Sequence, residues 1–184
     1  MLPTLRSRCR KVGLRRPDAA QAVGWLAQQG VGEPDAALCA AGGMPLEAAR
    51  WLDAGYRSLF DWFVGIAQDG AAIDAVGAAA AWEAGARAKS EGFVQPTLAT
   101  LVVWLQRWLF DLVSCRMGGE PAYFVAARER LFAIAKGAVP SALLGCYNDL
   151  LEFRRVCEHP LNARLFIEDM LSRYARALAV PGVR

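Results

Sequence analysis

The stretch LPTLRSRCR, residues 2–10, gathers the side chains best suited to phosphate chemistry: Arg6, Ser7, Arg8, Cys9 and Arg10. A guanidinium is always charged and offers forked donors that match phosphate oxygens. Cys9 lies among three arginines, whose charge lowers a thiol pKa and favours the reactive thiolate. The other candidates are plainer. His159, the single histidine, precedes Pro160 in a turn and has no metal-ligand partner in the sequence, so a structural role is the simpler reading. The acid pairs Asp149 with Glu152 and Glu168 with Asp169 fall on polar helix faces, where bridging to arginine is a better reading than proton transfer.

The five cysteines are Cys9, Cys39, Cys115, Cys146 and Cys157, and no two form a Cys-x-x-Cys pair. A structural zinc site is therefore not expected, and the usage fits reduced, mostly buried thiols in a cytosol. Charge is uneven. The net value is +3, yet residues 1–16 hold six basic side chains and no acid, leaving 15 basic and 18 acidic residues in the remainder. A body of that balance is not built to grip a nucleic-acid backbone along its length. Contact with DNA or phosphate belongs to the basic start. The most apolar long run, residues 98–113, contains Gln106, Arg107 and Asp111, so no membrane span is expected. No apolar run follows the first basic residues as a signal peptide would need.

Helical periodicity dominates the elements that must position these residues. Residues 10–14 read as a short strand. Asp18 followed by Gln21 is a capping-box pattern, with Ala22, Val23 and Leu26 at helical spacing and Gly30 as the stop. Pro34 starts a second helix ended by Gly42 and Gly43, and Pro45 a third over 46–52, ended near Gly55. Tyr56, Leu59, Phe60, Phe63, Val64 and Ala67 form the stripe of a longer helix that Gly70 breaks. The alanine-rich stretch 71–91 suits one or two helices whose small side chains permit close approach. Residues 97–115 form the most apolar helix, with Thr97, Thr100, Arg107, Asp111 and Ser114 as one narrow polar line. Three more helices follow, at about 124–136, 141–157 and 163–178, the last with Asn162 as N-cap. The stripes Leu143, Leu144, Tyr147, Leu150, Leu151 and Leu165, Phe166, Met170, Leu171, Tyr174 read as core. The tryptophans are spaced as core residues, and Trp104 with Trp108, one turn apart, could also anchor an interface.

The Ser7-Arg8-Cys9 triplet with its flanks resembles the Ser-Arg-Cys motif of the clamp-loader family of AAA+ proteins. The pattern is most similar to the delta-prime type of subunit in bacterial DNA polymerase III. The closing stretch EHPLNARLFIEDMLSRY and the preceding LLGCYNDLLEFRR resemble the C-terminal helices of that type, so the likeness runs from residue 2 to about 178. At the helix that begins GGMPLEAARWL, ATP-hydrolysing members carry a nucleotide-sensing arginine. Leu46 stands at the matching position by ungapped placement, and Arg50 lies one turn later.

The resemblance implies an all-α chain: residues 1–15 as the end of a nucleotide-binding domain, 16–54 as a small three-helix AAA+ lid, and 55–184 as a five- to six-helix collar-type bundle for oligomerisation. It implies that Arg8, with Ser7 and Cys9 beside it, is an arginine finger presented in trans to ATP on a neighbouring subunit. The sequence has no Gly-x-x-x-x-Gly-Lys-Ser/Thr loop and no acidic strand end for magnesium, so ATP and Mg would be held by neighbours and this chain would bind no cofactor or metal. The chain would begin near the end of an ATPase domain and be a non-catalytic part of a DNA-directed DNA polymerase holoenzyme. Its partners would be the delta and gamma/tau subunits, with the sliding clamp and primer-template DNA reached indirectly, in the cytoplasm and away from any membrane. Two rivals remain: a truncated ATP-hydrolysing subunit of the gamma/tau type, and a non-replicative helical module that binds nucleic acid through its basic arm.

Overall fold

Proline, glycine and short polar caps divide this chain into helices, and a computed structural model describes Gly13 and residues 17–87, 97–158 and 162–179. Among the described residues there are nine α-helices, three 3-10 turns and no strand. The expected strand at 10–14 lies outside the described residues apart from Gly13, which is in neither helix nor strand.

Helix α1 (Ala19–Gln28) starts on the expected capping box: Asp18 Oδ1 accepts from the Gln21 amide at 2.7 Å, and Gln21 Oε1 accepts from the Asp18 amide at 3.4 Å. Helix α2 (Pro34–Ala40) ends at Gly42 and Gly43, with φ of +67° and +76°. The Gly43 amide donates to the Leu38 carbonyl and the Gly42 amide to that of Cys39, both at 2.8 Å. This Schellman closure needs left-handed backbone, which glycine adopts without a Cβ clash. It leaves the Ala40 and Ala41 carbonyls for some other donor. Helix α3 (Pro45–Ala48) runs straight into a 3-10 turn (Ala49–Leu52). Ala22, Leu26, Val31, Ala37, Leu38, Ala41 and Ala48 form a small core among these elements, with Trp51 packed against it and against the larger core too. Gly55 is not the expected stop. It sits in the first turn of the next helix, because Asp53 accepts from the Tyr56 amide at 2.9 Å and begins a helix there.

The larger core is built by α4 (Ala54–Ala67), α5 (Ala75–Arg87), α6 (Leu98–Arg116), α7 (Arg128–Gly137), α8 (Pro140–Val156) and α9 (Ala163–Leu178), with 3-10 turns at Gly70–Ala72 and Val125–Ala127. A Cβ on Gly85 of α5 would lie 2.8 Å from Leu59 Cδ2, so the glycine is what lets α5 meet α4. Helix α6 is the hub, packing on α4, α7 and α8, while α9 lies along α5 and α8. It is also the one described helix long and apolar enough to cross a membrane. Here its Leu101, Val102, Leu105, Trp108, Leu109 and Leu112 have no exposed surface, so that apolar character is used in the core. Phe124 stacks on Phe60 at 5.7 Å between ring centroids and meets Trp108 edge-on at 5.1 Å.

Two expectations about the core are corrected. Leu144, Leu151 and Leu165 are 50%, 43% and 61% exposed. Successive helical residues turn by about 100°, so the neighbours of buried Leu143, Leu150 and Phe166 are carried off the covered face. Trp104 and Trp108 do not anchor a surface: they are 2% and 0% exposed, because α6 is covered on that side.

Candidate functional site

Arg8, Ser7 and Cys9, and with them His159, lie outside the described residues. Of the residues weighed as nucleotide sensors, Leu46 is 79% exposed, while Arg50 pairs with Glu47 at 3.3 Å and lies 6.0 Å from the Tyr56 ring centroid. Arg50 is thus engaged within its own helix pair.

The polar line of α6 is where the structure concentrates its long-range polar bonds. Thr97 and Thr100 form a reciprocal capping box that starts the helix. Two turns further on, Arg107 Nη1 donates to the Ala40 carbonyl at 2.6 Å and Nη2 to the Ala41 carbonyl at 3.3 Å. These are the carbonyls that the glycine closure of α2 leaves open, and a cation at a helix C-terminus also meets the negative end of its dipole. The guanidinium lies 5.4 Å from the Tyr123 ring centroid as well. Burial lowers the Arg107 pKa, and the nearby Arg154 charge acts in the same direction.

Asp111 is fully buried. Its carboxylate accepts from three successive amides: Ala122 at 2.8 Å, Tyr123 at 3.0 Å and Phe124 at 2.7 Å. Burial raises its pKa, and the three amides pull the other way. Ser114 Oγ donates to the Glu120 carbonyl at 2.9 Å. From Arg107 to Ser114, the polar line therefore fastens α2 and the 120–124 connection to the hub.

Beside this line runs a cleft of about 410 Å³ between α3, α6 and α8. Gln106, Arg107, Phe110, Tyr123, Tyr147 and Arg154 line it. Gln106 is 6% exposed. Its Oε1 accepts from Arg154 Nη1 at 3.5 Å, and its Nε2 has no hydrogen-bond partner. Arg154 is exposed and makes no ion pair among the described residues.

The remaining titratable candidates are occupied. Asp149 and Asp169 both bind Arg173 at 3.2 Å, Glu152 binds Arg155 at 2.9 Å, and Glu168 binds Arg164 at 2.8 Å. Cys39, Cys115, Cys146 and Cys157 are free thiols, and burial raises the pKa of each, that of Cys146 to about 12. Raised thiols are poor nucleophiles at neutral pH. Among the described residues, no group of three or more His, Cys, Asp or Glu is arranged to hold a metal ion.

No protein-family model matches this chain, and comparison with curated proteins gives no match. Sequence reasoning missed the cleft. Gln106 reads in the sequence only as one interruption of an apolar run.

Proposed function

We propose that this chain is a clamp-loader subunit of the delta-prime type, acting in DNA replication as part of a DNA polymerase III holoenzyme. Its small N-terminal helical unit would be an AAA+ lid and its larger unit a collar that packs beside the delta and gamma/tau subunits. Arg8, flanked by Ser7 and Cys9, would be presented to ATP and Mg on a neighbour. ATP binding there would favour a ring arrangement that opens the sliding clamp, and hydrolysis aided by Arg8 would release the clamp onto primer-template DNA. The setting would be the cytoplasm.

The observation that carries this reading is the order of parts. A Ser-Arg-Cys sequence precedes a small helical core, and a second, larger helical core follows. The uncovered Leu144 and Leu151 on α8 and Leu165 on α9 support it further, since apolar side chains left in water suit a surface that another subunit covers.

The test is ATP hydrolysis by the reconstituted loader, stimulated by clamp and primed DNA. Arg8→Ala should slow hydrolysis at the neighbouring site on the order of 10³-fold, as loss of an arginine finger does. Arg8→Lys should not restore it, because an ammonium lacks the fork. Unchanged hydrolysis in both variants would remove the arginine-finger role.

A further inference from the structure

The cleft beside α6 holds features that the assembly reading does not use. Two guanidiniums, Arg107 and Arg154, border one space, and neither forms an ion pair there among the described residues, although the Glu47 carboxylate acts on Arg107 from a distance. Arg107 spends two of its five donors on the Ala40 and Ala41 carbonyls. Glu47, the acid of the cleft, is held by Arg50 and accepts from the Tyr56 hydroxyl at 3.3 Å. Like charges facing one space repel, the more so because Arg107 is partly buried, and an anion between them removes the repulsion. Gln106 is the second, independent sign. A buried amide nitrogen without a partner is destabilising, because it has lost its water without gaining an acceptor. Exchanging the amide's oxygen and nitrogen does not help, because Arg154 would then face a donor and the oxygen would be unpaired. The cleft therefore sets two cations against an incoming acceptor, with the unpaired Gln106 amide nitrogen just beneath its surface and Phe110, Tyr123 and Tyr147 as apolar and aromatic walls. Its volume of about 410 Å³ falls in the range of small-molecule sites.

We propose that the cleft formed by Gln106, Arg107 and Arg154 binds a small molecule that carries an oxyanion, carboxylate or phosphate, on an aromatic or apolar body. The oxyanion would accept from Gln106 Nε2 and lie between the two guanidiniums. Its apolar part would rest against Phe110 and Tyr147. Nothing in this inference depends on the clamp-loader reading.

The test is calorimetric and NMR titration of the full chain with phenyl phosphate, phenylacetate and inorganic phosphate, at constant ionic strength set with chloride. Saturable binding of at least one probe below about 10 mM is expected, and its preference tells phosphate from carboxylate. Better binding by the phenyl probes than by inorganic phosphate would report the aromatic wall. Gln106→Leu should weaken binding by about tenfold or more while its thermal midpoint stays equal or rises, because an orphaned buried amide has been replaced by an apolar side chain of similar size. Arg154→Gln, an exposed change with little effect on stability, should weaken binding similarly. No saturation by any of the three probes, or binding that survives both substitutions unchanged, would overturn the proposal.

Discussion

Arg107 Nη1 and the Ala40 carbonyl lie 2.6 Å apart, joining the hub helix of the large core to the end of a helix in the small one. The bond exists because the glycine closure of α2 satisfies Leu38 and Cys39 but not the carbonyls that follow them. Arg107→Ala should therefore cost about 2 kcal/mol, the usual worth of a hydrogen bond to a charged group. Denaturant unfolding would measure the loss, and amide exchange should quicken first in residues 34–41. Arg107→Lys should recover little, since one ammonium cannot hold both carbonyls in the same geometry.

Asp111 should be the more sensitive residue of the polar line. Asp111→Ala would leave three amides without their acceptor, that of Phe124 in a buried place, and should cost about 3 kcal/mol. Asp111→Asn should fall between the two, because a carboxamide accepts on one side only. Comparison of the three proteins by urea unfolding checks the order, and Phe124 should become more accessible in the alanine variant.

Trp108 Nε1 donates to the Tyr174 hydroxyl at 2.8 Å, and that hydroxyl donates to the Ala67 carbonyl at 2.6 Å. One buried oxygen thus ties α6, α9 and the end of α4. Tyr174→Phe should destabilise by about 2 kcal/mol by leaving both partners unpaired. With Trp108→Phe in a double-mutant cycle, the two losses should sum to more than the double variant shows, with a coupling of about 1 kcal/mol.

Alkaline pH should loosen the fold. Burial raises the Cys146 thiol from 9.0 to about 12, and burial beside Glu47 raises the Tyr56 phenol from 10.0 to about 12. The unfolded chain gives up these protons first, so it binds fewer than the folded chain between the two pKa values, and stability falls as pH rises. The contribution is complete below about pH 9 and is lost toward pH 12, at no more than ~1.4 kcal/mol per pH unit for each group. Thermal midpoints measured from pH 8 to pH 11 should fall steadily. A Cys146→Ala variant should show a shallower slope.

The helices were readable because their ends are written in side chains. Asp18 with Gln21, Pro34, Gly42, Gly70, Thr97 and Asn162 all mark the boundaries that the structure shows. The polar line of α6 was legible as a line but not in its purpose. A sequence shows that Arg107 and Asp111 share a face; it does not show that a loop and another helix end there with open carbonyls and amides. The exposure of Leu144 and Leu165 was illegible for a related reason, since periodicity identifies an apolar stripe without telling how much of it another helix will cover. Gln106 was hidden for the opposite reason: a lone amide in an apolar helix carries no periodic signal, and its meaning comes only from Arg154, 48 residues away.

Assembly is open to size-exclusion chromatography with light scattering, on this chain mixed with delta and gamma/tau subunits of the same organism. Co-elution as one complex of defined mass is expected. The complex should be lost on Leu144→Asp with Leu151→Asp, two exposed changes that should leave the thermal midpoint of the chain nearly unchanged. A chain that elutes alone at every concentration beside active partner subunits, or a complex indifferent to both aspartates, would contradict it.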